Sequence, residues 1–363
     1  MLELLFYLTV SIQAFFYAIF FSRFAFSKSK KYATNKIPVT IIICAKNEAK
    51  NLTETLPFII EQEYNPFEII LVNDHSTDNT LEVMQSFKDN YPNIQIVHLD
   101  KNGSGNKKKA ITEGIKASKF EHLLFTDADC KPVSKQWISE MTSHFNERKE
   151  IVLGYGAYEK RNSWLNKLIR FETLLTAIQY FSYAKSSLAY MGVGRNLAYK
   201  KSLFKKVNGF KTHQHVQSGD DDLFVNQVAN NNVSCCYSKD SFTYSKPHIH
   251  FKKWLYQKRR HISTANHYKP IHQFFLGLFY LSQFLFWFLG IFLLLTTSNL
   301  VFVSVLFGFR LFIQYLIYGF SAKKLNESDL FIYLPFLELF LIIIQLFIFI
   351  QNLFQKPKNW NIN

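Results

Sequence analysis

The sequence predicts an α/β fold, a mainly parallel sheet flanked by helices, with transmembrane helices at both ends of the chain. Three observations predict it. Residues 2–22, LELLFYLTVSIQAFFYAIFFS, are mostly apolar over the length a helix needs to cross roughly 30 Å of hydrocarbon. Between residue 37 and about residue 235, β-branched apolar runs alternate with amphipathic stretches, the pattern of βαβ units. Three further apolar stretches then occupy about 272–296, 299–319 and 330–352. The expected domains are a transmembrane helix over 1–26, a cytoplasmic catalytic domain over 37–262, and about three transmembrane helices over 271–352.

Taken in order, the first apolar run lacks the features of a cleaved signal peptide. Glu3 precedes it, and Arg23, Lys28, Lys30 and Lys31 follow it, so the excess of basic residues keeps the following segment in the cytoplasm. VTIIICA (39–45) reads as a buried strand and KNEAKNLTETLPFII as a helix. FEIILVND (67–74) is a second strand, TDNTLEVMQSFKDN a capped helix, and IQIVHLD (94–100) a third strand. KKKAITEGIKAS is a third helix and EHLLFTDAD a fourth strand. Residues 163–190, aromatic-rich and amphipathic in places, suit either a helix in the headgroup plane or an ordinary core helix. In the C-terminal stretches, Arg310 and Glu338 are costly in hydrocarbon and should pair or face protein. The last stretch could cross fully or be re-entrant, since Lys356 and Lys358 follow it.

Composition narrows the function. The chain has 363 residues, a formal net charge of +15 and 38 Phe, many of them in the apolar flanks. The charge suits anionic headgroups or a phosphorylated substrate, and no nucleic-acid motif accompanies it. Cys44, Cys130, Cys235 and Cys236 form no C-x-x-C, which argues against structural zinc and a disulfide framework and favours a reduced compartment.

In open parallel sheets, ligands bind beyond the carboxyl ends of the strands. Here those ends carry Lys46–Asn47–Glu48, Asn73–Asp74, Asp100–Lys101 and Asp127–Asp129. On an extended chain Asp127 and Asp129 would face the same way, and two such carboxylates can hold Mg²⁺ or Mn²⁺; a polar turn with capping acids is the simpler reading. GSGNKKK (103–109) is no P-loop, although Lys107–Lys109 could contact a diphosphate. Asp74 suits a nucleobase or ribose contact, and Asp78 a cap. SGDDDLF (218–224) offers a general base, or acids decorating a helix start. QKRRH (257–261) could clamp a diphosphate or touch headgroups.

In this order, from about Pro38 to His261, the segments resemble the family 2 glycosyltransferases, with their GT-A nucleotide-sugar-binding fold. VTIIICAKNEAKNL resembles the opening strand and N-E loop, and EIILVNDHSTDNT the V-D-D-x-S-x-D segment, with Asn73 in place of the first Asp. NKKKAITEGI is similar to G-K-x-x-A-L-N-x-G-I, TDADC to the D-x-D motif, and GVGRNLAYKKSLF to the acceptor-side G-x-N-x-A-x-R-R. GDDDLF resembles E-D-x-D-L with Gly219 for Glu, and QKRRH resembles Q-x-x-R-W with His261 for Trp.

The resemblance implies an enzyme that transfers a sugar with inversion from a nucleotide-diphospho-sugar, UDP-linked by expectation. Glu48, Asp74, Lys107, Asp127, Gln257 and Arg260 would bind donor, and Asp127 and Asp129 would hold the divalent cation, Mg²⁺ or Mn²⁺. Gly194, Arg195, Asn196, Asp221 and Asp222 would form the acceptor region. Asp220 would be the base, with Asp221 or Asp222 as alternatives. The expected partners are the donor, a lipid or glycan acceptor and the cell membrane, with no nucleic acid, in cell-envelope glycolipid or polysaccharide synthesis. A polyprenyl-phosphate glycosyltransferase, a nucleotidyltransferase and a catalytically silent membrane scaffold are the rival readings.

Overall fold

The computed structural model describes residues 1–29, 32, 36–99 and 106–354. It divides into two compact units, one from Ser29–Glu159 and Ala189–Pro247, the other from Met1–Lys28, Lys160–Leu188 and His248–Asn363. Lys30, Lys31, Asp100, Lys101, the start of the GSGNKKK loop, Lys356 and Lys358 lie outside the described residues.

The first unit holds the α/β sheet. Strands β1 (Val39–Ala45), β2 (Phe67–Asp74), β3 (Ile94–Leu99) and β4 (His122–Phe125) lie where the apolar runs predict them. β1 and β2 are buried along nearly their whole length, which is why they read as continuous apolar runs. β1 pairs in parallel with β2 and β4, and β2 in parallel with β3. Helices Ala49–Ile60, Thr80–Asn90 and Lys107–Ala117 connect them. The last packs tightly against the sheet: a Cβ at Gly114 would stand 2.8 Å from Cγ2 of Ile42. That close approach fixes Lys107, at the start of the helix, above the carboxyl end of β1.

The shorter strands carry no readable period. They are β5 (Cys130–Pro132), β6 (Ile151–Leu153), β7 (Gly156–Tyr158), β8 (Leu197–Lys200), β9 (Val233–Cys235) and β10 (Thr243–Ser245). The main sheet runs β3-β2-β1-β4-β8-β6-β9. β8 is antiparallel to both its neighbours, and the remaining pairings are parallel. A second sheet, β5-β10-β7, gathers strands distant in sequence.

Among the described residues, the second unit contains four helices long and apolar enough to cross a membrane: Leu2–Ala25, Pro270–Thr296, Leu300–Lys324 and Ser328–Phe354. Arg310 and Glu338 do pair, through two hydrogen bonds of 2.6 and 2.9 Å, and both are essentially without solvent exposure. Gln13 and Tyr17 of the first helix accept from Arg310, Gln314 accepts a third contact, and Gln283 and Trp287 donate to Glu338. The pair thereby joins all four helices and leaves its charges hydrogen-bonded on every side. Helix Trp164–Lys185 is buried around most of its circumference, so of the two readings for 163–190 it takes the core one.

Candidate active site

The site forms where β1 and β4 end. Ile42, Cys44, Phe125 and Thr126 make the floor of a cleft, and Lys107, Asp127, Gly194, Asp220 and Asp221 line it. β4 stops at Phe125, and the chain turns instead of running on extended: Cys130 N–H donates to the Asp127 carbonyl at 3.0 Å. The turn is needed because the next strand, β5, belongs to the other sheet. Asp127 and Asp129 are therefore brought together by a turn, not by strand alternation. One ligand atom each from Asp127, Asp129 and Cys130 lie within 4.8 Å of one another.

Two carboxylates suit a hard divalent cation such as Mg²⁺ or Mn²⁺, and the thiol adds a softer donor. Burial, and then the Asp127 charge, push the Asp129 carboxyl above its ordinary value. A divalent cation would relieve that crowding, so the residues present fit one.

Lys107 stands between the two groups of acids. Its Nζ is 2.8 Å from Oδ1 of Asp127 and 3.2 Å from Oδ2 of Asp220. Burial opposes its charge, but Asp127 and Asp220 overcome that and hold its pKa well above the usual value. The next residue, Lys108, is buried and donates to the carbonyls of His213 (2.6 Å) and Val216 (2.8 Å), in the segment that leads to Asp220.

The three consecutive acids have different surroundings. Asp220 is 8% exposed, and of the three only its carboxylate forms an ion pair with Lys107. Asp221 accepts the Gly194 N–H at 2.6 Å and the Asp222 N–H at 2.8 Å at the start of helix Asp222–Val228. Burial, then Asp220 and Asp222, push its carboxyl up to about 7. Asp222 turns into the helix start and accepts from Leu223 N–H at 2.7 Å. Gly219 has φ +95°, and a Cβ there would lie 2.4 Å from Leu223, which accounts for glycine where the related pattern has Glu.

The other expected donor residues divide between the units. Glu48 is half-buried and accepts from Asn51 at 2.6 Å. Burial pushes its carboxyl up to about 7, the Asn51 hydrogen bond resists, and the Asp129 and Asp127 charges add to the push. Asp74 is buried, 2.8 Å from His75 Nδ1, and accepts from Asn106 N–H at 3.3 Å. Asn73 is buried against His98, and Asp78 receives the Thr80 N–H at 3.1 Å as a turn acid, one residue before the N-cap Asn79. Gln257 and Arg260 lie in the other unit, on helix Phe251–Ile262. That helix is held by Lys258–Glu172 at 2.5 Å and by Arg259–Asn352 at 3.1 Å. Arg260 is buried and His261 is exposed.

In the acceptor region, Gly194 borders the cleft: a Cβ would come within 3.3 Å of Asp221 Oδ2. Arg195 donates to Ala157 O at 3.0 Å and Ser245 Oγ at 3.1 Å, its guanidinium 4.2 Å from the Tyr158 ring centre. Asn196 is fully buried: it donates to Tyr155 and Ser241 carbonyls and accepts from Trp137 Nε1. Arg195 thus clamps strands β7 and β10 of the second sheet, Asn196 ties helix Trp137–Thr142 to the segments ahead of those strands, and Gly194 and Asp221 are left at the opening. Sequence reasoning missed Cys130, and it read Lys108 with its neighbours as a diphosphate contact, without its tie to the His213 and Val216 carbonyls.

Residues 40–207 match the family described as Glycosyl transferase family 2. A poly-beta-1,6-N-acetyl-D-glucosamine synthase of Staphylococcus epidermidis is 35% identical over 91 residues, 25% of this chain and 21% of that protein. A synthase of the same name from Staphylococcus aureus (strain COL) is 29% identical over 115 residues, 29% of this chain and 27% of that protein. The chain thus spans only about a quarter of the length of these curated relatives. Among solved structures, a mannosyltransferase from Pyrobaculum calidifontis in complex with GDP-Man and Mn²⁺ superposes with TM-score 0.57 at 16% identity, covering 93% of this chain and 99% of that one. That likeness bears on the fold, which is the GT-A fold expected from the sequence.

Proposed function

We propose that the chain, whose residues 40–207 match Glycosyl transferase family 2, moves a sugar with inversion from a nucleotide-diphospho-sugar to a hydroxyl of a lipid or glycan in cell-envelope synthesis. The observation that carries this reading is the cleft at the ends of β1 and β4, where Asp127, gathered with Asp129 in one turn, faces Asp220 across Lys107. One side supplies what a departing diphosphate needs, and the other supplies a proton acceptor.

In this reading Asp220 takes the proton from the acceptor hydroxyl. The freed oxygen forms its bond to the anomeric carbon on the face opposite the donor's leaving oxygen, that carbon–oxygen bond breaks, and the nucleoside diphosphate departs. Asp127 and Asp129 hold the cation, which when bound supplies neutralisation of charge on the leaving diphosphate. Glu48 and Asp74 border the donor; Gln257 and Arg260, which the resemblance assigns to the donor, belong to helix Phe251–Ile262 of the other unit. The floor of apolar side chains excludes water, and holding acceptor and donor in line contributes much of the acceleration. The product named for the staphylococcal relatives, poly-beta-1,6-N-acetyl-D-glucosamine, supports a glycan acceptor. The four apolar helices and the basic residues after the first support a membrane enzyme with its catalytic unit in the cytoplasm.

The test is transfer from a panel of UDP- and GDP-linked sugars by the full-length protein in native-like lipid, with and without Mn²⁺ or Mg²⁺. We expect one donor to turn over only with metal, and Asp129→Ala to abolish its use. If no nucleotide-sugar binds or turns over under either metal, the reading fails and a silent scaffold replaces it.

A further inference from the structure

We infer that Lys107 is a positioning residue that serves as a placeholder cation, tying the metal-side carboxylate Asp127 to the acceptor-side carboxylate Asp220 until a nucleotide diphosphate arrives with its metal. The inference rests on the proposed function and adds an order of events to it.

The geometry is unusual for a surface lysine. Its side chain is 21% exposed, and its ammonium lies within ion-pair distance of two acids whose proposed tasks differ. Asp127 belongs to the cation-holding turn, and Asp220 to the segment before helix Asp222–Val228. A single positive charge between them offsets part of the negative charge that a bare divalent cation would otherwise find. A nucleotide diphosphate changes that balance. It brings its own negative oxygens, so its metal can take Asp127 while the ammonium turns to the diphosphate or stays on Asp220.

Helix Lys107–Ala117 is built to hold the arrangement. Lys108 ties the same turn to the carbonyls of His213 and Val216, and the Gly114 contact seats the helix on β1. The segment carrying Asp220 is therefore positioned from the donor side of the cleft. The device makes metal alone a poor ligand, and it keeps the base from being set before the donor is loaded.

The opposite signs of two effects distinguish this role from a merely structural one. The full-length protein is titrated with Mn²⁺ in the absence of nucleotide, following loss of the free-ion paramagnetic resonance signal, and transfer kinetics are measured in parallel. Lys107→Met should bind bare Mn²⁺ about tenfold tighter or more, because a neighbouring positive charge is gone. Its kcat for transfer should fall by about a hundredfold, with donor KM changed less than about fivefold. Lys107→Arg should return Mn²⁺ affinity to near the wild-type value and recover part of kcat. Unchanged or weaker Mn²⁺ binding in Lys107→Met, or a kcat near wild type, overturns the inference. If the methionine variant does not fold, Lys107→Arg decides: wild-type-like weak Mn²⁺ binding supports the placeholder, and a tenfold tightening overturns it. Wild-type protein that transfers sugar while Lys107→Met fails these tests refutes only the placeholder; wild type that neither binds nucleotide diphosphate nor transfers refutes the function and this inference with it.

Discussion

Replacing Asp220 by Asn separates chemistry from binding. The amide has nearly the volume of the carboxylate but cannot take a proton from an acceptor hydroxyl. Lys107 loses one partner at 3.2 Å and keeps Asp127 at 2.8 Å, so the donor side of the cleft stays in place. The cost should fall on the chemical step. General base catalysis contributes about 10²–10⁴ in rate, so kcat should drop by that factor, or about 2.7–5.5 kcal/mol in the barrier. Donor affinity should stay within about threefold, because no donor-side residue has changed. Equilibrium binding of the nucleotide-sugar and single-turnover transfer in lipid nanodiscs measure the two separately. Asp221→Asn is the internal contrast. Its carboxylate holds the Gly194 and Asp222 N–H groups, so the change should cost about 1 kcal/mol of stability as a lost cap, with a smaller loss of kcat. The reasoning is refuted if Asp220→Asn transfers within tenfold of wild type, or if Asp221→Asn loses more kcat than Asp220→Asn does.

Other outcomes follow from the same structure. Glu48 carries a carboxyl raised to about 7 from an ordinary 4.5, so the folded state binds the extra proton between those values and stability falls as pH rises through 7; thermal midpoints from pH 5 to 8 should show that slope flattened in Glu48→Gln. Glu338→Leu strands the fully buried Arg310 and should cost about 3 kcal/mol or more, whereas Arg310→Met with Glu338→Leu should cost less than the single change, as read by unfolding in detergent. Asn196→Ala orphans the Trp137 indole N–H and two carbonyls, with an expected loss of about 3 kcal/mol or more; a midpoint within 2 °C of wild type would contradict the tie.

Much of the sheet was legible because β1 and β2 are buried on both faces, and such strands announce themselves as unbroken β-branched runs. The acids were legible as types in order, since a strand end and a helix start each leave a mark in sequence. Their mutual geometry was not. The turn that gathers Asp127, Asp129 and Cys130 depends on β5 joining a separate sheet, and β5, β7 and β10 are three residues each, too short to show a period. The burial of Asn196 among Trp137, Tyr155 and Ser241 was not legible, because a buried amide and an exposed one have the same letter. Lys108 looked like its neighbours in a basic run, although its partners are carbonyls more than a hundred residues away.

The arginine–glutamate pair also bears on how the chain is made. Arg310 leaves the ribosome 28 residues before Glu338, an interval of between about one and six seconds at ordinary synthesis rates. During it, a guanidinium that costs about 3 kcal/mol at the middle of a bilayer has no acidic partner yet. Gln13 and Tyr17, synthesised long before, can already accept its hydrogen bonds. The first helix can therefore receive the third while the fourth is still being translated, and a Gln13→Leu chain should show its defect during insertion, as degradation of nascent protein, more than in the finished molecule.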